Sequence, residues 1–158
     1  MCLVIDANCF GSVFNQTSKR HKNFAPVWRW IYEGRGRMIY GGTKYNKELQ
    51  DCKMLGVVSE LSKKRKTVHI ANAIVDSIAA ALKAKFPEPE FNDEHIVALV
   101  IASRCRVVCT DDKPAMTYLR RMDVFAHYDG IQRPKIFRGH KNHVKMCCDD
   151  HIVAACRE

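Results

Sequence analysis

The stretch NDEHIVALVIASRCRVVCTDDK, residues 92–113, leaves few folds open to this chain. Asn92 is a helix-capping residue. Asp93 and Glu94 follow in the predicted first turn, where free N–H groups and the helix dipole favour negative charge. Ile96 to Ala102 is apolar on every side, and a helix without a polar face is a buried helix. Ser103 to Arg106 breaks it. Arg106 to Thr110 is a short β-branched run, the pattern of a buried strand, and it ends on Asp111 and Asp112. One helix–strand unit thus carries acids at the helix start and at the strand end. In a parallel α/β unit the helix runs antiparallel to the strands, so both sets of acids fall on one sheet edge. Open α/β sheets bind ligands at that edge.

The rest of the chain agrees with such a unit. Cys2 to Ile5 reads as an apolar strand ending on Asp6. Phe24 to Gly34 reads as a helix with Pro26 near its start, and Arg37 to Tyr40 as a second strand closed by Gly41-Gly42-Thr43. A further helix starts near Thr43 to Asn46 and includes Glu48. After the basic run Lys63 to Lys66, Thr67 to Ala71 reads as a strand. Ala73 to Lys85 reads as an amphipathic helix with Ile74, Ile78, Ala81 and Leu82 on one side. Phe86-Pro87-Glu88-Pro89 links it to Asn92. Pro114 to Arg121 reads as a helix, and Val124 to Tyr128 and Ile136-Phe137 as edge strands. Strands alternating with helices predict a three-layer α/β/α fold with a mostly parallel central sheet.

A chain of 158 residues with 47% hydrophobic composition is expected to form one globular domain. Residues 133–158 read as a basic C-terminal extension on or beside it. Lys and Arg number 26 against 17 acids, a net charge of +9, which favours a polyanionic partner, nucleic acid or an anionic membrane. The longest apolar run is too short to span a bilayer, and Met1 to Phe10 lacks the pattern of a signal peptide. The membrane is the weaker choice. Of the eight cysteines, Cys2, Cys9, Cys105 and Cys109 lie in or beside apolar runs, where thiols behave as small hydrophobes. That argues against disulfides and for a reducing cytoplasm.

Applied to every element, the edge rule gathers four acids distant in sequence. Asp6 ends the first strand, Glu48 lies near the start of a helix that follows the second, Asp93 starts the helix before the next strand, and Asp112 follows that strand. Each has an ordinary reading: a turn residue, a solvated helix residue, a partner of the helix dipole, a helix cap. Their convergence is the functional signal. Carboxylates crowded into one site need compensation to remain ionised. A divalent cation supplies it, and an oxygen-only set suits Mg²⁺ or Mn²⁺.

With LVIDAN at Leu3 to Asn8, KEL at Lys47 to Leu49 and DEHIVALVIASRCRVVCTDDK at Asp93 to Lys113, the chain resembles the PIN-domain nucleases over roughly its first three-quarters. The resemblance implies that Asp6, Glu48, Asp93 and Asp112 are the metal-binding, catalytic acids. It makes Asp111 an additional ligand and Asn8 and Thr110 supporting groups. Glu60 in Ser59-Glu60-Leu61 rivals Glu48. The implied activity is metal-assisted hydrolysis of RNA phosphodiester bonds. Bacterial members are often toxins of toxin–antitoxin pairs, so an antitoxin or other protein is an expected partner beside RNA, and a homodimer stays open.

Lys19 to Lys22, Lys63 to Lys66, Arg120-Arg121 and Arg133 to Lys145 are expected to flank the acidic edge, with Lys63, Lys64, Arg65 and Lys66 contacting nucleic acid. Solvated surface is the plainer reading of any single run. His140, His143, Cys147, Cys148 and His151 match no standard zinc spacing. No nucleophile elbow, Walker motif or dinucleotide-binding motif is present. A haloacid-dehalogenase-type phosphatase would need Asp-x-Asp where Asp6-Ala7-Asn8 stands. A non-catalytic binding module on the same fold is the remaining alternative.

Overall fold

The computed structural model describes residues 2–151 and 153–157. Five short strands make one sheet: β1 (Cys2–Ile5), β2 (Arg37–Gly41), β3 (Thr67–Ile70), β4 (Val107–Cys109) and β5 (Lys135–Phe137). Their order is β3-β2-β1-β4-β5, and every pairing is parallel. The helices are α1 (Phe10–Phe14), α2 (His21–Tyr32), α3 (Thr43–Asp51), α4 (Leu55–Lys63), α5 (Asn72–Lys85), α6 (Glu94–Ser103), α7 (Lys113–Arg120) and α8 (Met122–Phe125). From β1 the chain builds outward through β2 to β3, then crosses to the other side of β1 for β4 and β5. Crossovers run in two directions from β1, and with the right-handed connection that parallel sheets take as a rule this puts helices on both faces; the fold is a three-layer α/β/α sandwich.

β1 is the central strand, and Cys2, Leu3, Val4 and Ile5 are all fully buried. A strand covered on both faces must be a continuous apolar run, as this one is. Helix α6 packs across β1, β2 and β3 with α5 beside it, and its residues from His95 to Val100 are buried. That is the outcome expected of a helix with no polar side.

Several local expectations are corrected. Asp93 is the residue capping α6, not a member of its first turn, and it makes no side-chain capping bond. Helix α2 starts at His21, three residues before Phe24, so Pro26 lies inside it. On α5 the buried side runs through Val75 and Leu82, while Ile74 is exposed. Val124 to Tyr128 is not a strand: Met122–Phe125 forms α8. Arg121 clamps Asp123 at the start of that helix (2.7 Å), and local charge pairing overrides the β preference of Val and Phe. Ile136-Phe137 does belong to the edge strand, so residues 135–137 are part of the sheet and not an appendage. The expectation against disulfides fails at one pair. Cys2, at the start of β1, is bonded to Cys156, with Cα atoms 6.1 Å apart.

Candidate functional site

The chain changes direction between β1 and β4, and parallel sheets open a crevice beyond the strand ends at that point. Asp6 follows β1 there, and its backbone N–H donates to the Cys109 carbonyl at 2.9 Å. One carboxylate oxygen of Asp6 accepts from the Asn8 backbone N–H at 3.2 Å and the other from the Thr110 hydroxyl at 2.6 Å. That hydroxyl oxygen in turn accepts from the Asp112 backbone N–H at 3.1 Å. Thr110 therefore ties the ends of β1 and β4 together. Asn8 supports Asp6 through its backbone; its side chain is exposed. Asp112 uses one oxygen to cap α7, accepting from Ala115 N–H at 3.0 Å.

Glu48 reaches the same edge from α3. The turn before it needs Gly41 and Gly42, at φ 149° and 87°. The Gly42 N–H donates to Asn72 Oδ1 at 3.0 Å, and Asp76 takes both the Thr43 N–H (2.8 Å) and its hydroxyl (2.6 Å). Tyr45, fully buried, donates its hydroxyl to the Ile5 carbonyl at the end of β1. Three residues further along α3, on the same face, stands Glu48, whose Oε2 lies 2.9 Å from His95 Nε2.

Asp93 faces these acids from the start of α6. Burial first, then Asp6, with further contributions from Asp112 and Glu48, raises its pKa to about 6, against an easing effect of His95. Asp6 is also raised, by burial first and then by Asp112 and Glu48, while its bonds from Thr110 and Asn8 pull the other way. Asp112 and Glu48 thus bear electrostatically on both Asp6 and Asp93, from four separate elements. Their oxygen-only chemistry fits a hard divalent cation. Among the described residues, however, no group of three or more His, Cys, Asp or Glu side chains is placed so that it could hold a metal ion.

The remaining candidates fall elsewhere. Asp111 is engaged by Arg20 and by the Cys9 thiol at 3.6 Å, so this acid already has a cation. Glu60 pairs with Lys64 at 2.7 Å near the end of α4, whereas Glu48 is the acid that lies beside His95. Lys63 to Lys66 joins the end of α4 to the start of β3 and therefore lies on the opposite edge of the sheet. Arg20, from the Lys19 to Lys22 run, reaches Asp111 next to Asp112. Cys148 and His151 touch (Sγ to Nδ1 3.2 Å) without assembling a metal group.

Sequence reasoning missed His95, Tyr45 and Asp76. His95 had a signal: it is the one ionisable side chain between Glu94 and Arg104. Tyr45 and Asp76 had none, since a tyrosine on an amphipathic helix and an acid on an exposed one are commonplace.

No protein-family model, curated protein or solved structure matches the chain.

Proposed function

We propose that the chain is a metal-dependent ribonuclease of the PIN type, with Asp6, Asp93 and Asp112 as its central acids and Glu48 as the fourth. The observation that carries this reading is the convergence of four carboxylates at the switch point, Asp6 held by Thr110 and Asn8, Asp112 at the start of α7, Glu48 beside His95, and Asp93 at the start of α6. Mg²⁺ or Mn²⁺, when bound, would polarise a phosphodiester and lower the pKa of attacking water. The protein's part is positional. Thr110 orients Asp6, the α7 start orients Asp112, and His95 orients Glu48, while the Asp93 side chain makes no capping bond to α6. A net charge of +9 suits an RNA substrate, and a cytoplasmic toxin paired with an antitoxin protein is the setting proposed for it.

One experiment separates this from a non-catalytic binding module. Asp6→Asn, Asp93→Asn and Asp112→Asn are each assayed for cleavage of labelled RNA in Mn²⁺, beside a melting curve. Loss of cleavage with an intact melt supports the reading. Full activity in Asp112→Asn, or no cleavage by the unaltered chain with any divalent cation, overturns it.

A further inference from the structure

The edge of the sheet opposite the acids is basic at four of its five strands, β1 starting instead on Cys2. Lys66 immediately precedes β3, Arg37 begins β2, Arg106 immediately precedes β4 and Lys135 begins β5. Three adjoining cavities follow this edge. The first, 400 Å³, is lined by Arg37, Lys64, Arg65, Lys66 and Arg157, with no acid in its wall. Arg157 is shared with the second, 460 Å³, which adds Arg104 and Arg106 beside one acid, Asp150. Arg106 is shared in turn with the third, 380 Å³, where Arg133, Lys135 and Lys145 face the same single acid, Asp150. Arg65, Arg106, Lys135 and Arg157 are in none of the ion pairs among the described residues. Burial first, and then Lys135, holds His151 below its ordinary pKa, with Arg106 adding to the effect, as expected beside a positive surface.

We infer that this edge is a continuous groove for the phosphate backbone of single-stranded nucleic acid, separate from the acid edge. Three features carry the assignment. The cations stand at the starts of β3 and β2 on one side of β1 and of β4 and β5 on the other, each pair one strand spacing of about 4.8 Å apart, so they form a line and not a point. The cavities join end to end through Arg157 and Arg106, which suits a polymer better than one small anion. Arginine, the residue that meets phosphate with a planar fork of donors, predominates along it. The acids lie across the sheet, about 13 Å away for a four-residue strand, so a strand held here is held clear of them. The inference does not depend on the acid edge being catalytic.

The test is equilibrium binding of a fluorescent single-stranded RNA to the full chain in a chelator, where metal-dependent cleavage is silent. Two variants are used: Lys64→Ala with Arg65→Ala and Arg157→Ala, and Arg106→Ala with Arg133→Ala and Lys135→Ala. Each should weaken binding about tenfold or more and shrink the log–log salt slope by about 0.7 for every phosphate no longer neutralised. Versions carrying Lys at the arginine positions should retain most of the affinity, which separates lost charge from a damaged fold. Unchanged affinity and slope in both alanine variants overturns the groove. Competition by tripolyphosphate that depends on only the first cavity assigns a small polyphosphate site instead, and equal competition by polyglutamate shows that phosphate is not recognised; either result overturns it too.

Discussion

His95 Nε2 lies 2.9 Å from Glu48 Oε2, while the other ring nitrogen of His95, Nδ1, is buried with no hydrogen-bond partner among the described residues. One nitrogen is spent on orienting a carboxylate, and the other is left without a bond inside the core. A buried polar atom without a partner carries a desolvation cost, so the pairing is held against a local penalty. His95→Ala should therefore lower stability by only about 1–2 kcal/mol, less than a well-satisfied buried group would, yet reduce RNA cleavage through a misoriented Glu48. Glu48→Gln keeps a hydrogen-bond acceptor for His95 and should melt near the unaltered temperature while cleaving poorly. Denaturant melts beside a cleavage assay check both, and full activity in His95→Ala would remove its positioning role.

Asp93 predicts how metal-free stability depends on pH. Its pKa in the folded chain is about 6, against about 3.9 when unfolded. Between those values the folded state holds more protons, so stability falls as pH rises from about 4 to about 6 and is flat above, as far as this group is concerned. Asp93→Asn should remove that decline. Because solvent still reaches the partly buried carboxylate, the gain near pH 7 is about 1 kcal/mol and not the full shift. Urea midpoints at pH 4.5 and 7 in a chelator measure it. A variant with the same pH slope as the parent would contradict the crowding at this position.

Divalent cation should act in the opposite sense to that repulsion. With Mn²⁺ at about 100 times its dissociation constant, mass action adds about 2.7 kcal/mol, seen as a higher melting temperature that chelator reverses. Asp93→Asn and Asp6→Asn should lose most of the rise. Equal rises in parent and variants would place the ion elsewhere.

The start of α3 offers a structural check. A Cβ at Gly41 would lie 2.1 Å from the Ile70 carbonyl oxygen, on a backbone of φ 149°. The obstacle is the backbone of the neighbouring strand, which cannot swing aside. Gly41→Ala should destabilise by more than about 2 kcal/mol, whereas Gly11→Ala, with open space around the new atom, should change little. Paired thermal melts decide this.

The legible parts of the molecule are those in which a strand announces its own end. Ile5 to Asp6 and Cys109 to Asp112 pass from apolar to acidic within one to three residues, and a parallel sheet then fixes which edge they share. The limits follow from the same logic. The run at Lys63 to Lys66 shows its charge plainly, but its edge depends on whether it precedes or follows a strand. Its position just before Thr67 was the available clue to the side away from the acids. Val124 to Tyr128 misleads because residue type alone cannot weigh β preference against the Arg121–Asp123 clamp. The meeting of Arg20 with Asp111, and of Cys2 with Cys156, joins residues too far apart for any local pattern to signal.

The Cys2–Cys156 bond spans a sequence separation of 154, and while it holds, nearly the whole chain is a closed ring. A ring cut once is still one molecule. A protease that nicks a single exposed turn, such as the one at Asp129-Gly130, leaves two segments covalently joined. Electrophoresis without reductant would then show one full-length band, and only added thiol would release the pieces. Resistance to digestion read from non-reducing gels alone would overstate how well its surface withstands attack.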